Sequence, residues 1–243
     1  MVDLRLADPE RRRQRIGVLG GAFDPPHIGH VAVAQTAVQQ LQLDGLHIIP
    51  TGQAWHKTRT LTAGVHRLAM ARLAFLALGT TPLGSTQTHL GVTVQVDDRE
   101  LRRGGPTYSV DTLRELALQY PGAALYLCLG EDQALALTSW HEWQALVKLA
   151  IICVAARPDE ISVSRHFLSE TVAALPLSAP TPSLLQRLTQ RVPQGRFELL
   201  NLAHMPISAT AIRLALAQHR NVAPLVGEPV ARYIATHHLY HSA

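Results

Sequence analysis

Cysteine is scarce in this 243-residue chain. Its two cysteines, Cys128 and Cys153, lie inside the apolar runs ALYLCLG and LAIICVA with no CxxC spacing. That excludes a disulfide framework and predicts buried, reduced thiols in a cytoplasmic protein. Long hydrophobic runs are missing too: the longest, Leu149 to Ala156, falls far short of the ~20 residues a membrane helix requires. No membrane partner is expected. Residues 1–15 mix charges of both signs and contain no apolar segment, which excludes a secretory signal; residues 1–14 read as a flexible leader before the first strand.

What the chain does have is a 47% hydrophobic content with 16% charged residues. At this length a fold buries roughly 70 to 75% of the surface its unfolded chain exposes, so residues 15–243 are expected as one domain that needs no structural metal. The net charge is +4. Arg11, Arg12, Arg13 and Arg15 alone supply as many positive charges as that excess, and the run reads as a solvated one rather than a nucleic-acid arm.

Apolar runs of strand length alternate with segments of helical period, which predicts an α/β fold: a doubly wound parallel sheet with helices on both faces. Strands are expected at 15–19, 46–49, 92–96, 124–129, 150–154 and 197–200. Helices are expected at 27–41, 66–78, 109–119, 132–148 with a break, 208–217 and 228–236, the last two forming a small C-terminal helical portion. Val31, Ala34, Val38 and Leu41 fall at steps of three and four and so share one buried face. Residues 157–195 are broken by Pro158, Pro176, Pro180, Pro182 and Pro193 and read as a crossover elaboration with a helix over 165–175.

Sheets of this kind bind ligands beyond the carboxyl ends of their strands, so the loop after the first strand is where chemistry is sought. It reads GGAFDPPHIGH, residues 20–30. Gly20 and Gly21 tolerate positive φ and let backbone N–H groups approach a phosphate, while the following helix directs its positive end at the same place. His27 and His30 stand one turn apart at that helix start, so both imidazoles face a bound anion. The other histidines lack ligand spacing, and no protein-held metal is expected.

Near the other end, ISATAIR (207–213) has the layout of a helix start, with Ser208 as N-cap and Ile207 and Ile212 placed as a hydrophobic staple. A plain capped helix accounts for that layout equally well. Arg213, one turn beyond Thr210 and with no evident acidic partner, suits a phosphate instead.

The first of these stretches resembles the signature of the nucleotidyltransferase superfamily, whose HxGH element contacts a nucleotide triphosphate. ISATAIR is similar to its ISxTxxR element, which holds the β- and γ-phosphates. The resemblance implies a Rossmann-like fold, ATP binding by Gly20, Gly21, Phe23, Ile207, Ser208 and Thr210, and catalytic roles for His27, His30 and Arg213. It also implies Mg²⁺ arriving with the ATP and held by few protein ligands. Asp24 is the nearest carboxylate, but its Phe-Asp-Pro turn suits a conformational job as well.

Further stretches are similar to bacterial nicotinate-mononucleotide adenylyltransferases. GGPTYSVDTL (104–113) resembles the element that holds the pyridine ring, which implies acceptor binding by Tyr108 and Ser109, although Ser109 also reads as an N-cap. LGED (129–132) resembles LGxD and implies that Gly130 and Asp132 contact the nucleotide. WHEW (140–143) resembles WxxW and places Trp140 and His141 at the acceptor, with Trp143 as core. IPTGQAWHK (49–57) keeps the family's HK pair, so Lys57 brings a mobile charge to the leaving phosphates, while Ala54 and Trp55 depart from the pattern.

The expected reaction is adenylyl transfer from ATP to nicotinate mononucleotide, without a protein nucleophile. Rival readings are transfer to nicotinamide mononucleotide, phosphopantetheine or glycerol phosphate, and a non-catalytic nucleotide sensor. The string HIGH also occurs in class I aminoacyl-tRNA synthetases, but ISATAIR stands where their lysine-rich loop would be, so no nucleic-acid partner is expected.

Overall fold

Six of the apolar runs line up as parallel neighbours in one sheet. The computed structural model describes residues 12–54, 60–78, 86–87, 91–156, 183–202 and 205–240. Strands β1 (Arg15–Gly21), β2 (Gly45–Pro50), β5 (Thr93–Val96), β7 (Ala124–Gly130), β8 (Ala150–Ala156) and β9 (Phe197–Asn201) run parallel in the order β5-β2-β1-β7-β8-β9. A short β4 (Thr86–Gln87) pairs antiparallel with β5 at one edge, so the sheet is not purely parallel as expected. Two-residue strands β3 (Gln53–Ala54) and β6 (Pro106–Thr107) form a separate ribbon.

The chain starts at β1 in the middle, fills one side through β2 and β5, then returns to β1's other edge with β7. Strand order therefore reverses between β1 and β7, and a crevice opens beyond their carboxyl ends. That crevice begins at Gly20-Gly21 and at Gly130.

Helices α1 (Ile28–Gln40), α2 (Gly64–Ala74), α3 (Arg99–Arg102), α4 (Ser109–Gln119), α5 (Glu131–Leu135), α6 (Trp143–Leu149), α7 (Leu184–Arg191), α8 (Ala209–Ala217), α9 (Ala223–Val226) and α10 (Glu228–Thr236) surround the sheet. The strict alternation of strand side chains divides the core in two. Leu125, Leu127 and Leu129 point to the face covered by Val110, Leu113 and Leu116 of α4 and Leu146 of α6. Tyr126 and Cys128 point to the opposite face, under Ala34, Ala37 and Val38 of α1. Each fully buried aliphatic side chain among them stabilises the fold by about 1.5 to 3 kcal/mol. A third cluster packs Met70 of α2 against Ile212, Val226, Val230 and Ile234 of α8 to α10, which docks the C-terminal helices beside the crevice.

Cys128 and Cys153 are buried free thiols and direct register neighbours on β7 and β8. The break expected within 132–148 separates α5 from α6, with a 3-10 turn at Leu137–Ser139 between them. Of the proline-broken segment, residues 157–182 lie outside the described residues. Helix α7 was not foreseen; the Ser183 hydroxyl accepts from Gln186 N and Gln186 Oε1 accepts from Ser183 N, a reciprocal cap that starts it. The arginine run is not simply solvated: Arg12 pairs with Asp44 at 2.6 Å, Arg13 donates to the carbonyls of Gly122 and Ala123, and Arg15 lies over the Tyr126 ring. Among the described residues no helix is long and apolar enough to cross a membrane.

Candidate active site

Beyond the β1–β7 crevice lies a cavity of about 680 Å³. Its wall includes Gly20 and Gly21, His27 and His30, Gly130 and Asp132, and Ile207, Ser208, Thr210 and Arg213. The two sequence motifs thus meet around one volume. Trp55, His56 and Lys57 lie outside the described residues, as do Arg157 and Pro158.

His27 is the N-cap of α1, and its ring stacks on His30 with centroids 3.7 Å apart. The backbone N–H of His27 donates to His30 Nδ1 at 3.2 Å, so a neutral His30 carries its proton on Nε2. Burial pushes the His27 imidazole down to about 4, and its Nδ1 has no hydrogen-bond partner among the described residues. A neutral imidazole with an unsatisfied buried nitrogen is held ready for a ligand, because satisfying it recovers the cost of its desolvation. Gly29 lets this happen: a Cβ there would stand 3.1 Å from His27 Nδ1 and 3.2 Å from its Cε1.

The glycines at the end of β1 act differently from the expectation. Neither adopts positive φ; the left-handed residue of the loop is Phe23, at φ 47°. A Cβ on Gly21 would meet the Phe23 ring at 3.0 Å, whereas one on Gly20 would meet nothing within 4 Å, so Gly20 is sterically free to face a ligand. Phe23 itself borders the cavity, but its ring is 1% exposed and packs edge-on against His30 (5.1 Å) and Phe75 (5.6 Å). It supports the imidazole.

Ser208 is the N-cap of α8 and its hydroxyl accepts from Ala211 N at 3.2 Å, as the layout foretold. Ile207 and Ile212 both join the third cluster. Arg213 is tied in place: Nη1 donates to the Asp24 carbonyl at 2.7 Å and Nη2 to Thr210 Oγ1 at 3.0 Å. These two acceptors are neutral, and they aim the planar guanidinium. Both carboxylate oxygens of Asp24 are engaged, Oδ1 accepting from the Tyr240 hydroxyl at 2.6 Å and Oδ2 from Thr62 N at 3.3 Å.

A second, smaller cavity of about 70 Å³ adjoins the first and shares Gly20, Gly21 and Ala22 with it. Tyr108, Ser109, Trp140 and His141 line it together, with the Tyr108 and His141 rings stacked at 4.1 Å. Tyr108, not Ser109, occupies the N-cap position of α4 and makes no side-chain capping bond, so Ser109 is the first helical residue. Trp143 is half-buried against the first cluster and borders neither cavity.

Three residues of the site escaped the sequence reading. Arg67 is 3% exposed and its guanidinium donates to the carbonyls of Ala22, Thr62 and Gly52, tying both loops that frame the crevice. An arginine within an apolar helical stretch is its only signal. Glu100 borders the smaller cavity and accepts from Thr112 Oγ1 at 2.9 Å and Gly52 N at 3.4 Å; burial raises its pKa against those bonds. Gln133 borders both cavities, and it stands one residue beyond the LGED stretch.

An open parallel sheet carrying paired histidines and a capped arginine helix at its switch point is the architecture of a nucleotidyltransferase. The cytidylyltransferase-like family model matches residues 18–215. The chain is 48% identical to the "Probable nicotinate-nucleotide adenylyltransferase" of Albidiferax ferrireducens, over 95% of this chain and 100% of that one. It is 38% identical to the protein of the same name from Methylibium petroleiphilum, over 96% and 94%. The chain belongs to the nicotinate-nucleotide adenylyltransferase family. A solved structure of Plasmodium falciparum nicotinic acid mononucleotide adenylyltransferase complexed with NaAD shares the fold, with a TM-score of 0.66 at 18% identity, covering 94% of this chain and 98% of that one.

Proposed function

We propose that the chain transfers the adenylyl group of ATP to nicotinate mononucleotide, a step of NAD biosynthesis. One observation carries this reading: the cavity lined by both motifs adjoins an aromatic pocket across Gly20 to Ala22. The family relatives named above support the same acceptor.

In this mechanism a 5′-phosphate oxygen of the mononucleotide attacks the α-phosphorus of ATP. The bond from that phosphorus to the bridging oxygen breaks in line, and pyrophosphate leaves. The attacking group is already an anion, so a base adds little; the protein aligns two polyanions and offsets charge growing on the leaving group. His27, His30, Ser208 and Arg213 perform that task from the described site, and Lys57 is assigned to it from its sequence. Gly20, Gly21, Gly130, Asp132, Ile207 and Thr210 shape the ATP side.

On the acceptor side, Trp140 and the Tyr108–His141 stack hold the pyridine. In the first turn of α4 the Asp111 and Thr112 N–H groups already donate to the Tyr108 carbonyl, which leaves those of Ser109 and Val110 as donors, and N–H donors suit a carboxylate better than a carboxamide. Mg²⁺ travels with ATP as part of the substrate, where it neutralises phosphate charge. Both Asp24 oxygens are engaged by Tyr240 and Thr62, which fits an ion carried by phosphates rather than by a carboxylate cage. Two buried cysteines without CxxC spacing fit a reducing compartment, the cytoplasm.

Pyrophosphate release with ATP and a panel of acceptors tests the reading. Nicotinate mononucleotide is expected to be used far faster than nicotinamide mononucleotide, phosphopantetheine or glycerol phosphate. A preference for one of those three would reassign the acceptor, and ATP binding without turnover would favour a sensor.

A further inference from the structure

Helix α10 is followed by a short stretch that returns to the crevice. There the Tyr240 hydroxyl donates to Asp24 Oδ1 at 2.6 Å, across 216 positions of sequence. We infer that Tyr240 is a positioning residue for the triphosphate end of the ATP cavity, acting through Asp24. This rests on the reading above in one respect, that the cavity takes ATP.

Asp24 is 1% exposed and is the point where four segments meet: its carboxylate receives Tyr240 and Thr62 N, and its carbonyl receives Arg213 Nη1. Between Asp24 and the N-cap His27 stand only Pro25 and Pro26, both buried. Proline rings fix φ near −65°, so a displacement of Asp24 passes to His27 with little to absorb it. The same displacement moves the carbonyl that aims Arg213. One hydroxyl therefore constrains both phosphate motifs. Its environment keeps it a donor, because burial and the neighbouring Asp24 both push the Tyr240 pKa up.

The variant Tyr240→Phe removes the hydroxyl and keeps the ring. Tyr233→Phe is its control, since the Tyr233 hydroxyl bonds His66 Nδ1 at 3.0 Å and so docks α10 on α2 away from Asp24. Calorimetric titration with α,β-methylene-ATP and steady-state kinetics are measured on the full chain. Tyr240→Phe is expected to weaken analogue binding and raise KM for ATP by about tenfold, because a buried carboxylate loses one of its donors. KM for nicotinate mononucleotide should stay within about twofold of wild type, and Tyr233→Phe should bind the analogue as wild type does. Asp24→Ala, which removes the acceptor, should weaken the analogue at least as much.

Wild-type analogue affinity in Tyr240→Phe overturns the inference. So does an equal loss in Tyr233→Phe, which would mark general docking of α10, or a matched rise in both KM values. If the wild-type chain binds the analogue but ignores nicotinate mononucleotide, the acceptor reading fails and the calorimetric comparison still decides the role of Tyr240. If it binds no analogue, both fail.

Discussion

Arg213 Nη1 donates a 2.7 Å hydrogen bond to the carbonyl of Asp24, 189 positions earlier in the chain. The bond joins the two phosphate motifs physically, so the guanidinium stands where the His27 loop ends. Removing it in Arg213→Ala should lower kcat/KM by ~10² to 10³, the weight of a lost donor to developing oxyanion charge. Arg213→Lys keeps the charge but cannot span both Asp24 O and Thr210 Oγ1 with a planar fork, so it should recover only part of that loss. Pyrophosphate-release kinetics decide it: undiminished turnover in Arg213→Ala removes Arg213 from the mechanism.

Gly29 gives a prediction with two signs. A glycine in a helix costs about 0.5 to 1 kcal/mol relative to alanine, so Gly29→Ala should raise the melting temperature slightly. The new methyl would sit 3.1 Å from His27 Nδ1 and push the ring off its place. Turnover should fall by about tenfold or more, because misplacement by fractions of an ångström is costly in an aligned transfer. Paired calorimetric melting and kinetics on the one variant check both signs. A variant that is both stabler and fully active contradicts the placement of His27.

The pH dependence of stability follows from His27. The unfolded imidazole takes its proton near 6.5, and the folded one, buried, only near 4. Between those values the unfolded state binds more protons, so stability rises with pH across the window. The contribution is complete above 6.5 and is lost as pH falls towards 4, amounting to ~3 kcal/mol over the whole interval. His27→Asn is neutral throughout and caps a helix well, so it should flatten this part of the curve. Denaturant unfolding of both proteins from pH 7 to 4 measures the difference; parallel curves would show that His27 titrates normally.

Much of this fold was legible because its central strands β1, β2, β7 and β8 are buried on both faces, which makes each a largely apolar run between helical periods. The bounds of α4 and α10 and the starts of β1 and β7 followed from that contrast, whereas both strands run on into the glycines at their ends. The adjacency of residues 20–30 to 207–213 was legible only through the chemistry both motifs share, since nothing local links them. What stayed hidden was of another kind. Arg67, Tyr240 and the Asp24 hub work through backbone carbonyls and single buried oxygens, and such bonds leave no periodicity. Helix α7 did leave a trace, the Ser183 to Gln186 capping spacing with Leu184 and Leu188 one turn apart, but the surrounding prolines masked it. The N-cap of α4 falls on Tyr108 despite the better capping chemistry of Ser109, because the Tyr108 ring is held against His141.

The two tryptophans of the WHEW stretch separate binding from packing. Trp140 borders the smaller cavity, and Trp143 packs against the first cluster and borders neither cavity. Trp140→Ala should raise KM for nicotinate mononucleotide by about tenfold, the loss of one aromatic face, and leave KM for ATP alone. Trp143→Ala should leave both KM values alone and destabilise the fold by about 3 kcal/mol, at the low end for truncating a large aromatic because the ring is only half-buried. Denaturant unfolding read beside acceptor kinetics separates the two. If Trp143→Ala changed acceptor KM as strongly as Trp140→Ala, the pyridine would have to reach past the Tyr108–His141 stack, and the small cavity would not be where the acceptor ring binds.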